Sequence, residues 1–265
     1  MEKEEYDRLR RYEENYWWHV GRRDLLAALL RKHVERLPSR LGLDIGCGTG
    51  SNLSLLEPYG KFFCSEITSE LYQDGRPRPA RPLFLARGEA LPLHDESLGI
   101  CTFFDVLEHI DDDVGFLREV RRVLVPGGYI LLSVPAYPFL WSEHDVSLHH
   151  KRRYVRPTLE AALRSAELEI VRITYGMTTM FPLIAGYRLL TKPFAKKRPP
   201  RTSYVAAPGP MNHILTAAIR AEARFLERGN LPFGTSLFCL AQKGTAATKP
   251  AMTAAVARRL RTERS

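Results

Sequence analysis

The sequence predicts an α/β fold in which a mostly parallel sheet carries helices on both faces, and three observations predict it. Apolar runs of strand length alternate with stretches of helical character along most of the 265 residues. The first such run, residues 41–45, breaks directly into a loop with Gly46, Gly48 and Gly50. The clearest amphipathic stretch, residues 111–128, leads straight into another apolar run at 129–135.

Residues 1–37 read as helical, with aromatics bunched in "YWWHV" (16–20) and a leucine-rich run at 24–34. Residues 41–45 make the first strand, 51–60 a short helix closed by Gly60, and 61–67 the second strand. The prolines of "DGRPRPARP" (74–82) remove donors and fix φ, which cuts short any helix there. Strands three and four fall at 83–86 and 98–106. In 111–128, aspartates sit at the N-terminus, where the helix dipole favours them. Val114, Leu117, Val120 and Leu124 form its apolar face, and Pro126-Gly127-Gly128 ends it. The fifth strand (129–135) precedes a helix with proline in its first turn (157–166) and the sixth strand (168–175). Residues 177–210 read as irregular and proline-rich, 212–229 as a helix ending in glycine, and 235–243 as the last strand. The expected organisation is a helical cap at 1–40 and a main domain at 41–244. Within that domain 177–230 is an insertion serving as lid or acceptor wall, and a disordered basic tail follows at 245–265.

With 45% hydrophobic residues the chain can bury a sizeable core, and 26% charged residues is ordinary for a soluble protein. The net charge of +9 is uneven, with basic runs at 192–201 and 257–265 that read as a solvated loop and tail. Cys47, Cys64, Cys101 and Cys239 form no CxxC pair, which argues against a zinc ribbon and suits a reducing cytoplasm. The charged N-terminus shows no signal peptide, and the longest uncharged run, 173–187, is too short to span a bilayer.

The glycine loop carries the chemistry. Glycines on alternate positions after a strand let a ligand approach the backbone without meeting a Cβ. The spacing is DxGxGxG; Ser51 departs from the dinucleotide GxGxxG, and the Lys-Ser/Thr end of a phosphate loop is missing. Asp44 at the loop's start would repel a pyrophosphate but suits a cation or an ammonium group. Glu66, at the end of the second strand, can accept both hydroxyls of a ribose. The site therefore fits a positively charged nucleoside.

Together, "LDIGCGTG" (43–50), Glu66, "EALPLHDESLGICTFFDVLEHI" (89–110) and "REVRRVLVPGGYILLSVP" (118–135) resemble the S-adenosylmethionine-dependent methyltransferases of Rossmann-like fold, in the type 11/12 small-molecule group. The resemblance covers residues 40–175. It implies a doubly wound seven-stranded sheet with the last strand antiparallel, and S-adenosyl-L-methionine as cofactor. It further implies that Asp44, Gly46, Gly48 and Gly50, with Cys47 between them, hold the methionine part, and that Glu66, with Ile67 beside it, holds the ribose side. The sequence departs from the group's pattern at Arg87-Gly88, where Asp-Ala is common. That leaves the Gly88 amide and Glu89 to meet the adenine.

Methyl transfer asks the protein to align a nucleophile and exclude water, with a base where the acceptor is a hydroxyl or an ammonium ion. Asp105, Glu108 and His109 follow the fourth strand, and Asp105 is best placed to touch cofactor or acceptor. In "WSEHDVSLHHKRRY" (141–154), His144 or His150 is the expected base. Asp145 orients an imidazole, and Tyr154 and Arg153 position the acceptor. No histidine pair at i, i+4 lies on an evident helix, and no metal is expected. "YWWHVGRR" (16–23) can fold over the cofactor, with Arg22 or Arg23 meeting its carboxylate. Residues 180–198 mix apolar residues with a basic end, which suits an acceptor wall or peripheral membrane contact. The leading function is methylation of oxygen or nitrogen on a small molecule, lipid-linked and natural-product acceptors included. No RNA-binding module is recognisable, so no specific nucleic-acid partner is expected. RNA methylation and non-catalytic cofactor binding stand as the competing functions.

Overall fold

A computed structural model describes residues 12–69, 72, 81–191 and 209–245. The basic run at 192–201, the tail from 246 and most of the proline-rich 74–82 segment lie outside them. Helix α1 (Trp17–His33) precedes β1 (Leu41–Ile45), the single-turn α2 (Leu53–Leu56) and β2 (Lys61–Glu66). Strands β3 (Leu83–Leu85) and β4 (Leu98–Phe104), helix α3 (Asp113–Val123) and strand β5 (Leu124–Pro135) follow. Then come the short α4 (Glu143–Ser147), α5 (Arg156–Ser165), β6 (Leu168–Gly176), α6 (Phe181–Thr191), α7 (Gly209–Leu226) and β7 (Ser236–Lys243).

The seven strands form one sheet in the order β3-β2-β1-β4-β5-β7-β6. All neighbouring pairs are parallel except those of β7, which runs antiparallel to both β5 and β6. Strand order reverses between β1 and β4, so the loops after these two strands flank the crevice where ligands bind in such sheets.

Alternation along the strands feeds a core on each face. In β5, Ile130 and Leu132 join Leu43, Phe103, Phe116 and Leu163 beneath α3 and α5. Leu131, between them, joins Ile100, Phe238 and Leu240 on the opposite face. There Leu25, Leu26, Leu29 and Leu30 of α1 are fully buried together with Ile219 and Leu226 of α7. The N-terminal helix is thus a layer of the core as well as a cap. Deleting it would expose four leucines, each worth about 1.5–3 kcal/mol of burial.

Two differences from the sequence reading have physical reasons. Helix α3 ends at Val123, because Leu124 already pairs with Leu98 across β4. Pro126, Gly127 and Gly128 therefore lie inside β5, where the register shifts between Leu98 and Ile100. The supposedly irregular segment after β6 contains α6, whose Pro182 sits in the first turn, where no amide donor is required. Helix α3 is capped at its start by the Asp112 side chain, which accepts from the Gly115 amide at 2.8 Å.

Candidate active site

The loop after β1 turns through three left-handed glycines: Gly46 at φ 66°, Gly48 at 58° and Gly50 at 82°. A Cβ at Gly48 would meet nothing within 4 Å, so the space above it is open. The loop is pinned from the side. Gly48 donates its amide to Glu66 Oε1 at 2.6 Å, and the Tyr72 hydroxyl donates to the Gly48 carbonyl at 2.7 Å. The Cys47 thiol is buried, 3.8 Å from the Tyr72 hydroxyl, and its contact with Cys64 and its burial raise its pKa. Its side chain belongs to the core, and only its backbone lines the loop.

Asp44 is buried at the end of β1. Its Oδ1 accepts from the Thr102 hydroxyl at 2.7 Å, whereas Oδ2 is buried with no hydrogen-bond partner. Burial pushes its carboxyl up to about 7, opposed by the Thr102 hydrogen bond and the Arg22 charge and assisted by Glu66. Burial also raises the pKa of Glu66, against the amides of Gly48 and Ile67. Beside it Ile67 is 68% exposed, an apolar surface next to a buried carboxylate.

α1 closes the other wall. Arg22 Nη1 pairs with Asp105 Oδ2, while Arg22 Nε is buried and unpartnered. Asp105 holds a left-handed backbone (φ 55°) and also accepts from the Ser133 hydroxyl at 3.1 Å. His19 is buried with Nε2 unpartnered. Burial, with Arg22 and Arg23 nearby, lowers its pKa to about 3, so it is neutral. Arg23 instead donates to the Glu13 carbonyl at 2.8 Å, and the Glu13 carboxylate accepts from the Thr49 hydroxyl of the glycine loop.

The adenine-side residues are less committed to a ligand. The Cβ side of Gly88 is filled by the Phe116 ring, so its small size serves packing. Glu89 pairs with Arg87 at 3.1 Å.

In the segment after β5 expected to face an acceptor, Asp145 is fully buried at the centre of a network. It accepts from Arg153 Nε at 2.7 Å and Nη2 at 3.1 Å, and from the Ser142 amide at 2.8 Å; His150 Nδ1 lies 3.0 Å away. Burial favours its neutral form, but the hydrogen bonds from His150 and Arg153 and the Arg153 charge win and hold its pKa well below the usual range. Burial lowers the pKa of His144 to about 4, with Asp145 opposing. Tyr154 departs from its expected place. It is 2% exposed, and its hydroxyl donates to Asp113 Oδ2 at 2.8 Å, tying the loop to α3.

Two groupings escaped sequence reasoning. Glu108 and His109 follow β4, and the fold brings His150, on a distant loop, against both. His150 Nε2 lies 3.9 Å from Glu108 Oε1, and the rings of His109 and His150 meet edge to face at 4.8 Å. The second grouping is aromatic. Tyr137 stacks on Tyr175 at 5.0 Å, Phe181 lies 5.4 Å from Tyr137, and Phe233 lies 5.4 Å from Phe181. These rings come from the ends of β5 and β6, α6 and the approach to β7, and no sequence spacing links them.

Sheet order and glycine cradle define a Rossmann-like methyltransferase fold. Residues 43–132 match the methyltransferase domain family. The chain is similar to an uncharacterized protein of a Streptomyces fradiae transposon, 28% identical over 58% of this chain and 49% of that one. It is also similar to an uncharacterized methyltransferase of Mycobacterium bovis, 30% identical over 48% of this chain and 54% of the relative. The match thus spans about half the length of these curated relatives. Among solved structures it resembles a phosphoethanolamine N-methyltransferase of Haemonchus contortus in complex with S-adenosyl-L-methionine. That likeness has a TM-score of 0.51 and 16% identity over 83% of this chain and 52% of the other.

Proposed function

We propose that the protein is an S-adenosylmethionine-dependent methyltransferase acting on an oxygen or nitrogen of a small molecule. The observation that carries this reading is the open left-handed cradle at Gly48, bordered by the unpartnered Oδ2 of Asp44. A bound S-adenosyl-L-methionine would supply an activated methyl group. The chain's own part is to bind and orient. Gly46, Gly48 and Gly50 leave backbone open to the methionine portion, and Asp44 offers a buried carboxylate to its positive charge. Glu66 is held by the Gly48 amide where it can meet ribose hydroxyls, and Ile67 gives the base an apolar face. Arg22 and Asp105 hold each other across the cleft and so fix α1 as its wall.

The acceptor binds over the loops after β4 and β5, with Tyr137, Phe139 and Phe181 as apolar walls. Its proton is handled by the imidazole of His144 or of His150. Asp145 fixes His150, while Arg153 and Tyr154 hold the frame that carries them. Among the described residues no helix is long and apolar enough to cross a membrane. The exposed Leu183, Tyr187 and Leu190 of α6 support an apolar or lipid-linked acceptor.

The test is transfer of labelled methyl from S-adenosyl-L-methionine to a panel of aromatic alcohols, amines and lipid-linked acceptors. Label should appear on at least one class, and Asp44→Ala should abolish it. Cofactor binding without transfer to any class would leave only the non-catalytic reading.

A further inference from the structure

We propose that Glu108, His109 and His150 bind a divalent first-row cation of the zinc or cobalt type. One carboxylate oxygen and two imidazole nitrogens from these residues all lie within 4.8 Å of one another. The independent observation is Glu108 itself. It is fully buried, and neither carboxylate oxygen has a hydrogen-bond partner. A buried carboxylate with no donor on either oxygen is rare in native proteins and needs a partner of some kind.

The surroundings are arranged as around a metal. His150 is fixed by Asp145 on Nδ1, at 3.0 Å, which leaves Nε2 directed toward Glu108. A carboxylate–imidazole–metal relay of this kind sets the tautomer and orientation of a ligating histidine. His109 is the exposed member of the three and gives an ion a way in. Donors around such a cation sit about 3.4 Å apart, so the Glu108–His150 separation of 3.9 Å shortens and the His109 ring swings inward on binding. Two imidazoles with one carboxylate suit zinc, cobalt or iron better than magnesium or calcium, which take oxygen ligands. Three protein ligands also leave coordination positions open.

Its role deepens the methyltransferase reading and rests on it. The cation binds an acceptor hydroxyl and lowers its pKa, so that the hydroxyl proton leaves to solvent before the oxygen takes the methyl group. His150 then acts as a ligand, and the hydroxyl needs no protein base.

The full chain, stripped with a chelator and dialysed, is titrated with Co²⁺ by visible absorption and with Zn²⁺ by calorimetry. One equivalent of Co²⁺ should bind with ligand-field bands and be displaced by Zn²⁺. Glu108→Gln and His150→Gln should each weaken binding at least 100-fold, and Asp145→Asn should weaken it 10- to 100-fold. S-adenosylhomocysteine affinity should change less than twofold in the two ligand variants. Circular dichroism checks folding, and the exposed position of His109→Gln supplies a variant that spares the buried network. Binding below one equivalent, or equal binding in folded ligand variants, overturns the site. Loss of the methyltransferase reading would look different: no S-adenosylhomocysteine binding in any form, with the Co²⁺ titration unchanged.

Discussion

The two buried aspartates of the cleft, Asp44 and Asp145, are built on opposite principles. On the cofactor side, polar atoms are buried and left unsatisfied: Asp44 Oδ2, Arg22 Nε and His19 Nε2. Left-handed backbone occurs on both sides, at three glycines and Asp105 on the one and at Tyr137 and His149 on the other. On the acceptor side, Asp145 is buried too, yet Arg153, His150 and Ser142 surround it with donors. The first arrangement is costly until a ligand completes it. The second is complete in itself and holds a loop in shape. The count of partners thus marks Asp44 as a binding group and Asp145 as a structural hub, and it puts the unpartnered Glu108 with Asp44 although Glu108 lies beside His150.

Removing the hub should have the largest effect. Asp145→Ala leaves Arg153 and His150 buried without their carboxylate and should cost about 3–5 kcal/mol in denaturant unfolding. A loss below about 1 kcal/mol would mean that the network is ornamental and the contrast false. Gly48→Val should cost about 1–3 kcal/mol of stability, through strain at a left-handed position. A branched side chain then both resists the left-handed backbone and fills the open space, so S-adenosylhomocysteine affinity should fall at least 100-fold by calorimetry.

The pH dependence sharpens the comparison further. The Asp44 carboxyl is pushed up to about 7 in the free protein. A positively charged cofactor favours the carboxylate, so below pH 7 binding must expel a proton. Affinity for S-adenosylmethionine should fall by up to tenfold per unit as pH drops below 7 and be flat above it. Asp44→Asn should remove that slope. The raised pKa also gives stability that is present at low pH and lost as pH rises through 7. The Asn variant's melting temperature should accordingly exceed the parent's above pH 7 and approach it near pH 4. The smallest effect belongs to Tyr154→Phe, which removes one hydrogen bond to Asp113. It should cost about 1 kcal/mol of stability and leave turnover unchanged; a larger loss of turnover would return the hydroxyl to the acceptor site.

The cofactor side was legible in the sequence because it is local. Asp44 through Gly50 are consecutive, and Glu66 ends the neighbouring parallel strand, in register with β1 through Asp44 and Cys64. The acceptor side was legible only as composition. "HDVSLHHKRRY" announced imidazoles and charges, but nothing in its spacing says that Asp145 is buried or that His150 reaches Glu108. That meeting depends on how the loop after β5 folds back across the end of β4. Helix α6 was hidden for a different reason. It lies in a segment that reads as irregular and proline-rich, whereas at a first turn proline is compatible with helix. The aromatic group at Tyr137, Tyr175, Phe181 and Phe233 gathers from four separate places in the chain and leaves no local trace.

The strand order also constrains how the molecule can come together as it is made. Strand β6 joins the sheet only through β7, which slots between it and β5. The leucines of α1 wait for α7 and for Phe238 and Leu240 of that same late strand. A nascent polypeptide stopped before Ser236 would thus present an unpaired edge at β5, a detached β6 and a greasy amino-terminal helix all at once. Full assembly awaits emergence of the final strand from the ribosome, the slow regime that distant pairings impose.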